Sequence, residues 1–515
     1  MGIRRDGFHY VRSLLRSPEG LLGLLALGTF AVHLVVAITT AYGLHRDEYL
    51  YLAYGRHLDW GFIEGPPGIA LVAAGLQATL GTSLAAVRLV PALAHGVLVL
   101  LTGLIARELG GKRFAILVAG LAALIAPVYL RAGTLFQPVP FDQLAWAAAA
   151  LFVARRIRRD DVRQWLGVGL ACGLGLVFKY TILVFAAGLA AGLLLTSLRR
   201  DLATPWPWLG SLLAGLFAMP NLFWQAAHDW PLLQHAQALS ESQLVHVARI
   251  DFVAEQVLMM HPLTLPIWGA GLVFFLTHRG KHFRVLGWAY VVCFALLLAL
   301  QGKPYYLAPA YPMLLAGGAV VWARLVRKWR PRLLRSLATA TLVTAGIALA
   351  PLGMPLLPPP AMAGYLDAIG VSPKGETGKP MHLPQDYADM LGWPEVADAA
   401  GTVYHSLPPD DRERVLLFGE SYGHAGVLDY HRSDLGLPPA VSASGSYYLW
   451  GPGEQTGAVT LYVGVSKDEV ADFFDRCITK TVVRHPWARE AAVPIVVCRG
   501  PDRSFQALWP SLDPW

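Results

Sequence analysis

Apolar segments recur along this chain with a regular spacing up to about residue 356. They fall at 20–41, 84–106, 113–130, 142–157, 164–178, 181–198, 207–225, 256–277, 284–300, 305–325 and 335–356. A helix rises about 1.5 Å per residue and the hydrocarbon layer is about 30 Å thick, so about twenty such residues suffice to cross it. The pattern predicts a helical bundle with about eleven spans. Residues 66–80 are apolar but short, which suits an interfacial or re-entrant helix. The run at 20–41 follows four arginines with no small-residue cleavage site after it, and is expected to be an uncleaved first span.

After about residue 357 the pattern changes. Leu357-Pro358-Pro359-Pro360 marks a linker, and charged residues become frequent. Arg414–Phe418, Thr460–Val465 and Pro494–Arg499 read as buried strands, and Ser466–Phe474 as a helix capped by Ser466. The expected organisation is therefore a mainly α, polytopic transmembrane domain over 1–356 and a small extracytoplasmic α/β domain over 357–515. A catalytic first external loop, 42–83, belongs to the former.

Composition agrees. Of 515 residues, 55% are hydrophobic and 15% charged, with mean hydropathy +0.45, too apolar for an ordinary soluble enzyme. The net charge of +7 comes from the placing of the basic residues, not from a nucleic-acid surface. With the N-terminus cytoplasmic and the spans alternating, the inside segments hold 23 Lys/Arg. The remaining segments before residue 336 hold seven. This positive-inside bias puts 45–67, 131–141, 226–255, 301–305 and the C-terminal domain outside. Chemistry there has no direct access to cytosolic nucleotide sugars; a lipid-carried donor would supply it. Cys477 and Cys498, 21 residues apart, could form a disulfide if that domain is extracytoplasmic.

No HExxH, CxxC or Walker A motif occurs. The chemistry-bearing stretch is 45–67: His45-Arg46-Asp47-Glu48, an aromatic segment to Trp60, then Glu64-Gly65-Pro66-Pro67. Asp47 and Glu48 start a short amphipathic helix, where the helix dipole favours their ionised form, as a general base requires. In an arbitrary loop such a pair simply starts a helix; the crowding of His45, Arg46, His57, Asp59 and Glu64 favours a site. Glu64 is either a cap for the helix that the proline pair opens or a second acid. Gln301-Gly302-Lys303-Pro304-Tyr305-Tyr306 offers a cation and hydroxyls at headgroup depth, suited to a phosphate ester or to an aromatic belt with a snorkelling lysine. Arg88 and Lys179 are further external cations, for which snorkelling and ligand binding are equally open. The segment Gly419-Glu420-Ser421-Tyr422-Gly423-His424-Ala425-Gly426 follows a strand, where ligand loops occur, but a structural turn is the commoner use.

These motifs resemble the bacterial membrane glycosyltransferases of the protein-mannosyltransferase-like group, glycosyltransferase family 39, with the C-type fold. The resemblance rests on Asp47-Glu48 after the first span, Glu64-Gly65-Pro66-Pro67, the Arg88 segment with Arg107-Glu108-Leu109-Gly110, and Gly302-Lys303-Pro304-Tyr305-Tyr306. It covers about 20–330. Asp389-Met390-Leu391-Gly392-Trp393-Pro394 and Ser446-Tyr447-Tyr448-Leu449-Trp450-Gly451 resemble a bacterial subgroup. The resemblance implies a hexosyl- or pentosyltransferase of the inner membrane, using a polyprenyl-phosphate sugar on the external face with inversion. Asp47 would be the base, with Glu48 or Glu64 in support. Lys303, Arg88, Tyr305 and Tyr306 would hold the donor phosphate, and more so because Gly65 offers no side chain for it. No cofactor is required, although a divalent metal is compatible. The acceptor would be a glycan, lipid or protein. A flippase of lipid-linked sugars, or a polymerase or ligase of lipid-linked oligosaccharides, would share these features; the scarcity of intramembrane acids favours chemistry over translocation.

Overall fold

The computed structural model describes residues 17–246, 248–328, 331–376, 378–512 and 514. The arginines before residue 17 that enter the charge argument lie outside the described residues. The chain divides into two compact units. One comprises the chain up to Thr39, Ala85–Ala227 and Gln243–Leu356; the other comprises Thr40–Leu84, His228–Ser242 and Leu357–Trp515.

The first unit is a helical bundle. Each of the eleven apolar segments forms helix. By length and composition, five described helices can cross a membrane alone, and up to eight spans result if each bent pair counts as one. The bends follow sequence: Arg113–Leu124 turns by 63° into Pro127–Thr134, where a proline opens the second helix. Glycines let helices touch backbone to backbone. A Cβ on Gly318 would fall 1.7 Å from the Ile267 carbonyl oxygen, and one on Gly169 would fall 2.1 Å from that of Gly210. Such close crossings replace the hydrophobic drive that is missing between helices in lipid. Arg156 donates to Asp201 through Nε (2.7 Å) and an amino nitrogen (2.8 Å), and Trp165 donates to the same carboxylate.

The second unit is built on a five-stranded sheet of order β2-β1-β3-β5-β4. Its strands are β1 (Val415–Gly419), β2 (Ala440–Val441), β3 (Val459–Val463), β4 (Phe474–Arg484) and β5 (Ala492–Pro501). β1 runs parallel to β2 and β3, while β5 is antiparallel to β3 and β4. β1 and β3 are buried throughout, as their unbroken apolar runs require. β4 is a solvent-facing edge strand, and its charged residues hid it from the hydrophobic pattern. Cys477 and Cys498 are register partners on β4 and β5 and are joined by a disulfide. The helix expected over Ser466–Phe474 is shorter than that: it ends at Val470, a 3-10 turn covers Ala471–Phe473, and Phe474 begins β4. The Ser466 hydroxyl bonds the Glu469 carboxylate (2.6 Å) instead of capping the backbone.

The first loop belongs to this same unit. Arg46–Arg56 and Gly68–Thr79 are its helices. They cross closely at Gly55, where a Cβ would lie 2.8 Å from the Ala74 nitrogen. Gln77 fixes the crossing by donating to the Leu52 carbonyl (2.7 Å).

Candidate active site

The Arg46–Arg56 helix opens with a capping box. His45 accepts from the Asp47 amide (3.1 Å), and Glu48 reaches back to accept from the His45 amide (2.7 Å). Histidine stands where serine or threonine is usual, and two otherwise orphaned donors are satisfied. Glu48 is fully buried, so at least one of its oxygens serves the helix start. The backbone ahead of the helix is fixed as well: Gly43 donates to Met390 (3.1 Å) and Arg46 to Asp389 (3.1 Å).

Asp47 is left partly open, its side chain 27% exposed. Its Oδ1 accepts a hydrogen bond from the Tyr422 hydroxyl (2.9 Å), with the Arg46 Nε 4.0 Å away. The Arg46 guanidinium lies over the Tyr422 ring, 4.5 Å from its centroid. Burial works against the Arg46 charge, but Tyr422, Asp389, Asp47 and Glu490 outweigh it and raise its pKa. Burial, then Asp47, pushes the Tyr422 hydroxyl well above its ordinary range, so it remains a neutral donor. The result is a partly open carboxylate held by the Tyr422 hydroxyl beside Arg46 and His45, an arrangement suited to a general base.

Glu64 is held differently. Its Oε2 accepts from the Tyr54 and Ser446 hydroxyls, the latter at 2.5 Å, and its Oε1 accepts from the Ser446 amide (3.1 Å). The Tyr54 ring stacks on Phe62 at 3.8 Å. Gly445 has φ +59, and a Cβ there would fall 2.0 Å from Glu64 Oε1, so only glycine permits this approach. Beside it His57 stacks on Trp450, ring centroids 4.1 Å apart.

The cations lie in the helical unit. Pro304–Ala310 is a 3-10 helix entered through Lys303, anchored where Tyr129 donates to the Ala308 carbonyl (2.7 Å) and Gln256 to that of Pro304 (3.1 Å). The Lys179 ammonium sits 4.9 Å from the Tyr305 ring centroid and 4.8 Å from that of Tyr306, and the Arg131 guanidinium is 5.5 Å from Tyr305. Lys303, Arg131 and Asp142 are all within electrostatic reach of Lys179. Lys179 and Arg131 thus lie against the tyrosine pair, with Lys303 and Asp142 acting on Lys179. Arg88 is buried, in the first turns of Leu84–Glu108.

A family profile described as dolichyl-phosphate-mannose-protein mannosyltransferase matches residues 64–224. The lipid A galacturonosyltransferase RgtD of Rhizobium johnstonii is 27% identical over 246 residues, covering 47% of this chain and 52% of RgtD. The chain thus spans about half the length of that curated relative. Among solved structures, ArnT from Cupriavidus metallidurans bound to undecaprenyl phosphate matches with TM-score 0.62 at 16% identity. The match covers 93% of this chain and 97% of ArnT. The oligosaccharyltransferase of Archaeoglobus fulgidus in complex with Zn and sulfate follows at TM-score 0.50 and 12% identity, over 80% of this chain and 61% of that one. The fold is the C-type glycosyltransferase fold. The resemblance drawn from the motifs to the protein-mannosyltransferase-like group is borne out with it.

Within the C-type fold, the profile match starts at Glu64 and ends before Lys303, so Asp47 and the Lys303 segment stand on geometry. The structure puts Asp47, Glu48 and Glu64 in one unit, and Arg88, Lys303, Tyr305 and Tyr306 in the other. Motif reading passed over Tyr422, Ser446 and Arg131. For Arg131 a signal existed, since it is a cation on the side that the charge bias leaves poor in cations. Tyr422 and Ser446 lay in segments that the sequence singled out, but their partners did not show, because they meet their carboxylates across 375 and 382 residues of chain.

Proposed function

We propose that this protein is an integral membrane glycosyltransferase that moves a hexose or pentose from a polyprenyl-phosphate donor to an acceptor on the extracytoplasmic face, with inversion. The observation that carries this reading is the placing of Lys179 over Tyr305 and Tyr306 and of Arg131 over Tyr305, with Lys303 within electrostatic reach of Lys179. Cations gathered among apolar helices suit an anionic ligand, and a phosphate on a lipid tail can reach such a place. ArnT, which shares the fold, was crystallised with undecaprenyl phosphate, an anion of this kind.

In the reaction, an acceptor hydroxyl oxygen forms a bond to the anomeric carbon as the bond from that carbon to the phosphate oxygen breaks. The electron pair leaves with the polyprenyl phosphate. The hydroxyl proton passes to the Asp47 carboxylate, which Tyr422 orients. One displacement inverts the anomeric centre. Lys179, Arg131, Lys303 and Arg88 supply the positive charge that the departing phosphate needs, so transfer requires no metal at that step. Glu48 supports Asp47 by fixing the helix that carries it, and Glu64 by fixing the loop. The positive-inside bias supports a cytoplasmic N-terminus, with residues 45–67 and 357–515 on the outer side of the inner membrane.

Mass spectrometry of envelope glycans and lipids from a deletion strain tests the reading. One envelope molecule should lose a single sugar, and its lipid-linked donor should accumulate. Wild-type protein should restore the product, while Asp47→Asn at equal membrane level should not. An unchanged envelope, or full restoration by Asp47→Asn, refutes it.

A further inference from the structure

The sheet unit holds a second cluster that the transfer reaction does not use. β1 ends at Gly419; Glu420 and Ser421 follow, and the helix Tyr422–Tyr430 starts immediately after. His424, in its first turn, is fully buried. Its Nδ1 is 3.0 Å from the Ser421 hydroxyl, which fixes the ring and turns Nε2 the other way. Nε2 lies 2.8 Å from Glu490 Oε2, in the β4–β5 turn, so the two side chains are in direct contact. Glu420 completes the group: one ligand atom from each of Glu420, His424 and Glu490 falls within 4.8 Å of the others. No described side chain donates a hydrogen bond to the Glu420 carboxylate; among its charged neighbours His424 and Arg46 favour its ionised form, while Glu490 and Glu469 oppose it.

The surrounding backbone leaves room for this group. Gly464, at the end of β3, has φ +100. A Cβ there would fall 2.6 Å from Glu420 Oε2 and 2.8 Å from His424 Cε1, so any side chain would invade the cluster. The Glu420 amide donates to the Val463 carbonyl (2.9 Å), which pins the carboxylate's base between two strand ends. Trp393 covers the imidazole edge-on at 5.5 Å.

We propose that Glu420, His424 Nε2 and Glu490 bind one divalent transition-metal ion of the zinc class, with a fourth position left for water. One imidazole and two carboxylates suit such an ion, and ligand distances of about 2.0–2.2 Å require Glu490 to draw back from its direct contact with Nε2 so that the ion sits between the three ligand atoms. The Ser421 contact is the outer-shell partner that a ligating histidine usually has. In the tautomer that donates Nδ1–H to Ser421, Nε2 carries the lone pair that a metal requires.

The ion would tie the first turn of Tyr422–Tyr430 to the β4–β5 turn. The first turn of that helix carries Tyr422, the donor to Asp47, and Gly426 of the same helix lies against Tyr49 of the loop helix. Metal binding therefore stiffens the mount of the candidate base. This consequence rests on the transferase reading; the site itself does not.

The test uses the full chain, purified in detergent, stripped with a chelator and dialysed against zinc. Wild type should retain about one zinc per chain by elemental analysis. Glu420→Gln, which changes an exposed residue, should bind at least about tenfold more weakly against a competing indicator. Zinc should raise the wild-type melting midpoint and leave that of Glu420→Gln unmoved. If Glu420→Gln does not match the metal-free wild-type melt, Glu490→Gln takes its place under the same criteria. Zinc well below one per chain, or equal affinity in wild type and variant, overturns the proposal. Metal content is read without any sugar donor. Zinc binding without transfer would refute only the transferase reading, and transfer without zinc binding only this site.

Discussion

Replacing Glu64 separates a structural tie from a chemical role. In Glu64→Ala three donors lose their acceptor: the Tyr54 hydroxyl, the Ser446 hydroxyl and the Ser446 amide. Tyr54 is 1% exposed and Ser446 fully buried, so water replaces little. The two hydroxyls lie 3.2 Å apart and can bond each other, which recovers one of the three. Two buried donors at about 1–3 kcal/mol each remain, and about 4 kcal/mol is the expected loss. At about 2–4 °C per kcal/mol for a unit of this size, the melting midpoint should fall by roughly 8–16 °C. Glu64→Gln keeps an acceptor for the amide, and its NH2 can donate to either hydroxyl once that hydroxyl rotates. It should cost only about 1 kcal/mol, the charge-assisted part of the bonds. The assays are thermal unfolding in detergent, followed by tryptophan fluorescence, and sugar transfer from labelled polyprenyl-phosphate donors in membranes. The tie predicts that Glu64→Gln folds and retains most transfer. A Glu64→Gln protein that melts like wild type but has lost about a hundredfold of its transfer rate would show that Glu64 acts on substrate. A Glu64→Ala protein melting within about 2 °C of wild type would show that the tie bears little.

Four further outcomes can be measured. Tyr422→Phe keeps the ring under Arg46 and removes only the donor to Asp47; turnover should fall roughly tenfold, about 1.4 kcal/mol, with donor KM unchanged, and a change under about twofold refutes the positioning role. Lys179→Met should raise donor KM about tenfold while leaving the melt in place, and equal KM removes Lys179 from the phosphate site. Gly55→Ala puts a methyl 2.8 Å from the Ala74 nitrogen, where backbone cannot yield, and should cost about 1–3 kcal/mol in unfolding experiments. His57 has its pKa lowered by burial first and by Arg56 second, with Asp429 opposing. The fold thus favours neutral imidazole: the stabilisation is present above the ordinary histidine value and lost as pH falls through the lowered one. Melts from about pH 7.5 to about pH 5 should drop more in wild type than in His57→Gln, and parallel curves would refute this.

Much of the helical unit was legible because lipid imposes a simple rule: long apolar runs become helices whatever their tertiary neighbours. The bends were less so, since a proline such as Pro127 ends one helix and opens another inside one apolar run. In the sheet unit, β1, β3 and β5 were visible as apolar runs, whereas β4 was not, because an edge strand needs no apolar face towards solvent. Asp47 and Glu48 were adjacent in sequence and similar in chemistry. Only coordinates separate them, one as a buried cap and one as a partly open carboxylate.

The sheet unit is best understood through what it does to the first loop. Contacts that fasten that loop to distant sequence include Gly43 and Arg46 to the backbone at Met390 and Asp389, Asp47 to Tyr422, Arg56 to the Asp429 carbonyl, Glu64 to Ser446, and the Tyr430 hydroxyl to the Thr82 carbonyl. Asp389-Met390 and Ser446 belong to the two C-terminal motifs whose purpose the sequence left open. A loop of this length on its own would lose about 1–2 kcal/mol per residue in becoming ordered. With a single helix crossing at Gly55 it could not hold one carboxylate in place. The C-terminal unit supplies the missing order, so residues 357–515 are part of the apparatus that presents Asp47. Substitutions at Tyr422 or Ser446 should then change turnover although neither residue lies in the first loop.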